Sequence, residues 1–386
     1  MSGTIHNFDN ASTSFPKHKS VYQAITQYEQ CGLNFDRSFF EFGQSVCHAK
    51  AGAIDNLRKL LSTEDPDFIC VLNPSATYSL NEILSGLDYC LDGIRNVYIS
   101  PFEHHAVYRT LVHLAKSKQF KLHVLPFNEF KLDYLRMLDQ FSVDKPDLVV
   151  CTHASNVFGN ILPVGNIFSE AKHYNAITVL DTAQTGGCVS LAGITEFCDF
   201  IVFAGHKNLY GPSGIGGYFY RQQFDHEPLV YGGAGVQSDL PTMPDLVPSK
   251  FEAGSANIFG LIALRNATSE SLELGLQQIR TIKNYNLRKL LAVLSKYTKH
   301  IDIKSPYDDN AGIVSVVPKH ITCMNFSKQL ANNNIVVRVG YHCSSLANEH
   351  IGTTEEGTVR FSIGIYNTVE DFEVLDHTLS DIFGVG

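Results

Sequence analysis

The chain has 386 residues, 44% hydrophobic and 18% charged, with a formal net charge of −9 and an isoelectric point near 5.9. Such a chain buries a large core in two or three domains, and its composition excludes a disordered or membrane-embedded protein. Its negative charge argues against nucleic acid or an anionic membrane as main partner, and no run approaches the ~18 apolar residues that span a bilayer. The opening Met1–Asn10 lacks the basic end and apolar core of a signal peptide. Nine scattered cysteines without CxxC spacing suggest neither a disulfide framework nor a zinc site. A reducing cytoplasm is the expected location.

Residues 1–15 are polar and show no helical or strand period. A first helix is expected over residues 19–30, stopped by Cys31-Gly32, and a second over 45–61, where apolar residues recur at helical spacing. Strand-like runs follow at 68–72, 97–100, 121–126, 148–152, 177–180 and 200–203, with helical patterns between several of them, such as 104–118 and 165–174. Strands alternating with helices indicate crossovers, hence a mostly parallel sheet covered by helices on both faces, an α/β fold. Residues 257–300 are nearly all helical and read as a bridge to a smaller α/β unit. That unit has strands at 312–317, 335–339 and 358–362 and helices at 323–331 and 369–382. The expected division is a large domain over 16–256 and a small one formed by 1–15 with 257–386.

Ligands bind outside the carboxyl ends of the strands in such sheets, and the unusual residues gather there. After the first strand come Ser75-Ala76-Thr77 and a helical pattern from about Asn81. Small and hydroxyl residues at a helix start suit a phosphate, although taken alone the segment is better read as a simple N-cap by Ser75 or Thr77. After the second come Glu103-His104-His105. Adjacent helical positions point apart, which argues against joint metal chelation and leaves each histidine to face the cleft or lie in solvent. Asn156 follows the fourth strand, and Asp181 with Gln184 the fifth. A carboxylate closing a buried strand is costly unless a cation or several donors meet it. The sixth, apolar run ends in Gly205-His206-Lys207 before a loop rich in Gly and Pro. A lone lysine there can be a solvated charge. Together the set suits pyridoxal phosphate, with Lys207 as covalent anchor, Asp181 on the ring nitrogen, His104 stacked on the ring, Asn156 and Gln184 at the phenolic oxygen, and Ala76, Thr77 and His206 at the phosphate.

The chain resembles the class V aminotransferases among fold-type I pyridoxal phosphate enzymes, and within them the cysteine desulfurases. The resemblance runs in order through Phe8–Thr13, Glu103-His104-His105, Ser155–Gly159, Asp181–Gln184, Gly205-His206-Lys207, Phe251–Asn257, Arg338–Cys343, Gly357–Ser362 and Tyr366-Asn367-Thr368. It implies the cofactor roles above, and a homodimer in which Ser255 donates its hydroxyl across the interface. It also implies Arg360 as the clamp on the substrate carboxylate, with Asn156 beside the substrate, and Cys343 as the sulfur-accepting nucleophile. Its short cysteine loop is similar to the group in which that loop is compact. Ala204, Tyr78, Ser344-Ser345 and Asn348 depart from common family residues, Ser344-Ser345 standing where Ala-Pro is common.

The expected reaction is conversion of L-cysteine to L-alanine, leaving a persulfide on Cys343 for an acceptor protein or small molecule. Lys207 would act as general base and His104 as proton shuttle. Another class V enzyme, such as a selenocysteine lyase or C–S lyase, is the alternative within this chemistry, and a non-catalytic sulfur-carrier scaffold the alternative outside it.

Overall fold

Successive residues of a strand point to opposite faces, so the unbroken apolar run Phe200–Ala204 must be buried on both. It is: Ile201 and Phe203 enter one core cluster, Phe200 and Val202 another on the far face. In this computed structural model, which describes residues 4–29, 41–87, 93–224 and 226–385, that strand is third in a seven-stranded sheet. The order across the sheet is Phe68–Asn73, Gly216–Arg221, Phe200–Ala204, Ile177–Asp181, Leu148–Thr152, Asn96–Ile99 and Lys121–Val124. All run parallel except Gly216–Arg221, which is antiparallel to both neighbours.

Helices cover both faces. Ala76–Gly86 and His105–Leu114 place Leu80, Ile83, Val107 and Leu111 on one, while Glu41–Leu60, Tyr134–Val143 and Val164–Lys172 place Leu57, Phe141 and Phe168 on the other. The mostly parallel α/β fold expected from the alternation is therefore present. Gly216–Arg221 was hidden in the expected Gly/Pro loop, although Tyr218-Phe219-Tyr220 is a run of good strand formers. The helix expected from Asn81 starts earlier, at Ala76, because Ser75 is extended and its Oγ accepts the Tyr78 N–H at 3.1 Å. The helical stretch after Asn257 is not one bridge but two helices, Ile258–Leu274 and Leu276–Ser295, broken where Gly275 takes φ +83°. The stop expected at Cys31-Gly32 lies outside the described residues.

The C-terminal part holds a four-stranded antiparallel sheet in the order Ile301–Ile303, Ile313–Pro318, Thr358–Ser362 and Arg338–Gly340. The single strand expected at 335–339 is thus two short ones, and Ile335–Val336 instead pairs in parallel with His6–Asn7. Phe8 enters the core formed by Val314, Phe361, Leu290 and Phe372. Beyond it the N-terminal segment crosses towards the large sheet. Ala11 N–H donates to Ser362 Oγ at 2.8 Å, and Ser14 N–H to the His206 carbonyl at 3.1 Å. The two sheets and this crossing segment enclose one cavity.

Candidate active site

The cavity, of about 200 Å³, is lined by strand ends from both sheets. Ala76, Thr77, His104, Asn156, Asp181, Gln184, His206, Lys207, Cys343 and Arg360 all line it, residues separated by up to 284 positions in the chain. Ser255 does not; it is exposed in the segment before helix Ile258–Leu274.

The large sheet builds one wall. Gly205 N–H donates to Ile215 O, and Gly211 N–H returns to Gly205 O at 2.8 Å, closing the turn that carries Lys207. A Cβ on Gly211 would lie 2.9 Å from that carbonyl, so the turn needs glycine there. Burial lowers Lys207 to a pKa of about 8, against the pull of Asp181, so a free amine is accessible near neutral pH. Asp181 ends its strand 4% exposed, with Oδ1 accepting the Ala183 N–H at 2.8 Å. Burial nevertheless raises it, and a cation placed against it would restore the carboxylate.

His104 caps helix His105–Leu114, its Nδ1 accepting the Ala106 N–H at 3.0 Å. That fixes the neutral ring with its proton on Nε2, and burial followed by the Lys207 charge holds its pKa down to about 3. Gln184 reaches Ala11 O at 3.1 Å, and Asn156 donates to His342 O at 2.6 Å. At the phosphate end, the Ala76 and Thr77 amides open helix Ala76–Gly86, where a helix leaves its first N–H groups without intrahelical acceptors. His206 Nδ1 is buried and has no hydrogen-bond partner among the described residues. Gly216 passes so near that a Cβ there would sit 3.1 Å from Ala76 N.

The small sheet and the N-terminal segment build the other wall. Arg338 and Arg360 sit directly opposite on neighbouring strands, a placement of like charges that normally destabilises a sheet. Ser12 resolves it: Oγ accepts from Arg338 Nη1 at 2.8 Å and Arg360 Nη2 at 2.9 Å, and donates to Asp9 Oδ1 at 2.8 Å. Both lone pairs and the proton of the hydroxyl are used. Arg360, 1% exposed, also reaches Asp9 Oδ1 at 2.7 Å and Asn156 O at 2.8 Å, leaving Nε without an acceptor among the described residues. Cys343 follows a left-handed His342 (φ +52°) and is itself left-handed (φ +58°), with Sγ 3.9 Å from Arg338 Nη2.

Residues 6–375 match the family model for class V aminotransferases. The chain belongs to that family. Among curated relatives, a probable cysteine desulfurase of Xylella fastidiosa (strain 9a5c) is 29% identical over 379 residues, 95% of this chain and 88% of that protein. A probable cysteine desulfurase of Pyrococcus abyssi is 27% identical over 385 residues, 97% and 93% of the two chains. An apo cysteine desulfurase from Thermococcus onnurineus NA1 superposes with a TM-score of 0.86 at 26% identity, covering 98% of this chain and 94% of that one. An S-sulfonic acid form of a cysteine desulfurase from Escherichia coli gives the same TM-score at 23% identity, a likeness of fold.

Sequence reasoning missed Asp9, Ser12, Arg338 and His342 as members of the site. Asp9 and Ser12 stand in the Phe8–Thr13 segment that carries the family resemblance, which was their one available signal. Glu103 was also passed over. It is fully buried, Oε1 accepting from Ser100 Oγ at 2.5 Å and Thr152 N–H at 2.8 Å while Oε2 has no partner among the described residues, and burial raises its pKa to about 8.

Proposed function

We propose that this class V enzyme is a pyridoxal-phosphate-dependent cysteine desulfurase, acting as a cytoplasmic homodimer on L-cysteine. The observation that carries the reading is the meeting of Lys207 and Asp181 with Cys343 and Arg360 in one cavity. The residues present fit the cofactor. The helix start at Ala76-Thr77 and the unpartnered His206 Nδ1 suit a phosphate, and the buried Asp181 suits a protonated ring nitrogen. Lys207 supplies the amine that would anchor it, with His104 on the ring face and Asn156 and Gln184 towards its oxygen. When bound, pyridoxal phosphate supplies an electron sink beside the substrate Cα.

Arg360 would bind the substrate carboxylate, its Nε offering a donor that no group among the described residues takes. The Lys207 amine, held near neutrality by burial, would remove the Cα proton. The Cys343 thiolate would then form an S–S bond to the substrate sulfur as the Cβ–Sγ bond breaks. The bonding pair stays with carbon, which takes up a proton and leaves as alanine. Substrate carbon is thereby reduced, and the two sulfurs share the oxidation as a persulfide. The neutral His104 would move the proton. An acceptor protein or small molecule would take the outer sulfur.

Ser255 supports a dimer in this reading, because the hydroxyl it is expected to donate across an interface is exposed and outside its own copy's cavity. Leu229, Val230, Tyr231, Leu240 and Leu246, exposed in the preceding segment, offer apolar surface to such a copy. The described cysteines are all free thiols, which supports a reducing compartment.

The test is Cys343→Ser. The variant is expected to keep the visible band of the bound cofactor while losing persulfide and alanine formation from cysteine. Alanine released at the wild-type rate overturns the nucleophile. Pyruvate and ammonia from the wild type would instead mark a C–S lyase, and alanine formed far more efficiently from selenocysteine would mark a selenocysteine lyase.

A further inference from the structure

Two consecutive non-glycine residues in the left-handed region, His342 and Cys343, are a strained arrangement that persists only when its surroundings hold it. The surroundings are specific. Asn156 donates to the carbonyl of His342 at 2.6 Å, and the backbone N–H of His105 donates to the carbonyl of Cys343 at 2.8 Å. His342 Nε2 lies 3.0 Å from Thr358 Oγ1 on the small sheet.

The next two residues are Ser344 and Ser345. Ser344, fully buried, donates from Oγ to the Glu103 carbonyl at 2.7 Å. Ser345 opens the short helix Ser345–Ile351, and its backbone N–H donates to His105 Nε2 at 3.2 Å, with Ser345 Oγ 3.1 Å from the same nitrogen. A backbone N–H can only donate, so His105 Nε2 is an acceptor and the neutral ring carries its proton on Nδ1. Asn348 closes the far side, donating to Tyr341 O at 3.1 Å and Ser344 O at 2.8 Å. An alanine and a proline in place of the serines would lose the Ser344 Oγ–H donor and the Ser345 N–H donor together.

We propose that His105, Ser344 and Ser345 form a clamp that docks the cysteine loop onto the start of helix His105–Leu114 and holds the left-handed turn, so that Cys343 Sγ stays in the cavity. They are positioning residues: none lines the cavity, and each acts through the placement of Cys343. This rests on the desulfurase reading for its kinetic consequence, but the placement of the thiol is measurable without it.

The experiment compares wild-type holoenzyme with His105→Ala, His105→Gln and Ser345→Ala. The Cys343 peptide is followed by mass spectrometry during alkylation with a bulky maleimide and with iodoacetamide. The ratio of the two rates reports access to the thiol, because the small reagent corrects for the thiolate fraction. His105→Ala is expected to raise the ratio about fivefold to tenfold, of the order that one net hydrogen bond is worth. His105→Gln, whose Oε1 can accept the Ser345 N–H, should return it to within twofold of wild type. Ser345→Ala, which keeps the backbone donor, should fall between. With cysteine as substrate, kcat should drop by a similar factor with KM within twofold.

An unchanged ratio in His105→Ala overturns the clamp, as does a rise that His105→Gln fails to reverse. Should His105→Ala not fold, the ratios of Ser345→Ala and His105→Gln decide alone: a rise in the former with none in the latter supports the clamp, and any other pattern overturns it. If cysteine yields no alanine, the desulfurase reading fails while the alkylation ratios still decide the clamp.

Discussion

The two walls of the cavity are built on different principles. On the large-sheet wall, Asp181 and Lys207 stand at the ends of neighbouring strands, and Asn156 and His104 follow two further strand ends. Each stands at or just beyond the end of a strand, and the cost is desolvation, visible in the raised Asp181 and lowered Lys207 and His104. On the small-sheet wall the cost is geometric and Coulombic: opposed arginines on paired strands and two left-handed residues in succession. The first design suits a group that stays bound and can offset desolvation once for all. The second suits a transient anion and a reactive sulfur, because Ser12 and Asp9 occupy the arginines only through exchangeable polar contacts.

The comparison predicts different failures. The largest effect is expected from Lys207→Ala, which should abolish the visible band of the bound cofactor and lower alanine formation by about 10²–10⁴, the usual share of a general base. A variant that keeps the band would break the assignment of the anchor to the large-sheet wall. Arg360→Lys should leave that band intact while reducing kcat/KM for cysteine by about 10–150-fold, the equivalent of one charge-assisted hydrogen bond of about 1.5–3 kcal/mol. Loss of cofactor in that variant, measured by the same band, would show that the walls do not divide the work.

The smallest effect concerns the desolvation of the first wall alone. Glu103 has a folded pKa of about 8 against an ordinary 4.5, so between those values the folded chain holds a proton that the unfolded chain releases. Its contribution is therefore greatest at low pH and is lost as pH rises through 8. Glu103→Gln, which keeps the shape without the ionisation, should show a smaller fall in Tm between pH 6 and pH 9 than the wild type. Equal falls in both proteins would mean that Glu103 is ionised in the folded state.

The same division governs what could be read in advance. Asp181, Lys207, Asn156 and His104 were legible because an apolar run that ends in a polar residue marks a strand end, and strand ends in a parallel sheet share one rim. Arg360 and Cys343 were legible only through family resemblance, since the strand 358–362 is ordinary in its period and Cys343 is one of nine cysteines. The Gly216–Arg221 strand escaped because its glycine-rich approach masked an aromatic run. Gly275 escaped because a single glycine within a helical pattern does not announce whether it is tolerated or breaks the helix.

By itself, then, the sequence determined the α/β layering and the rim of the large sheet, because periodicity and strand-end chemistry are local properties of the chain. Tertiary structure decided what faces that rim. Asp9 and Ser12 meet Arg360 across some 350 residues, and His105 meets Ser345 across 240. Such contacts depend on how two sheets and a crossing segment pack together, and no local pattern encodes them.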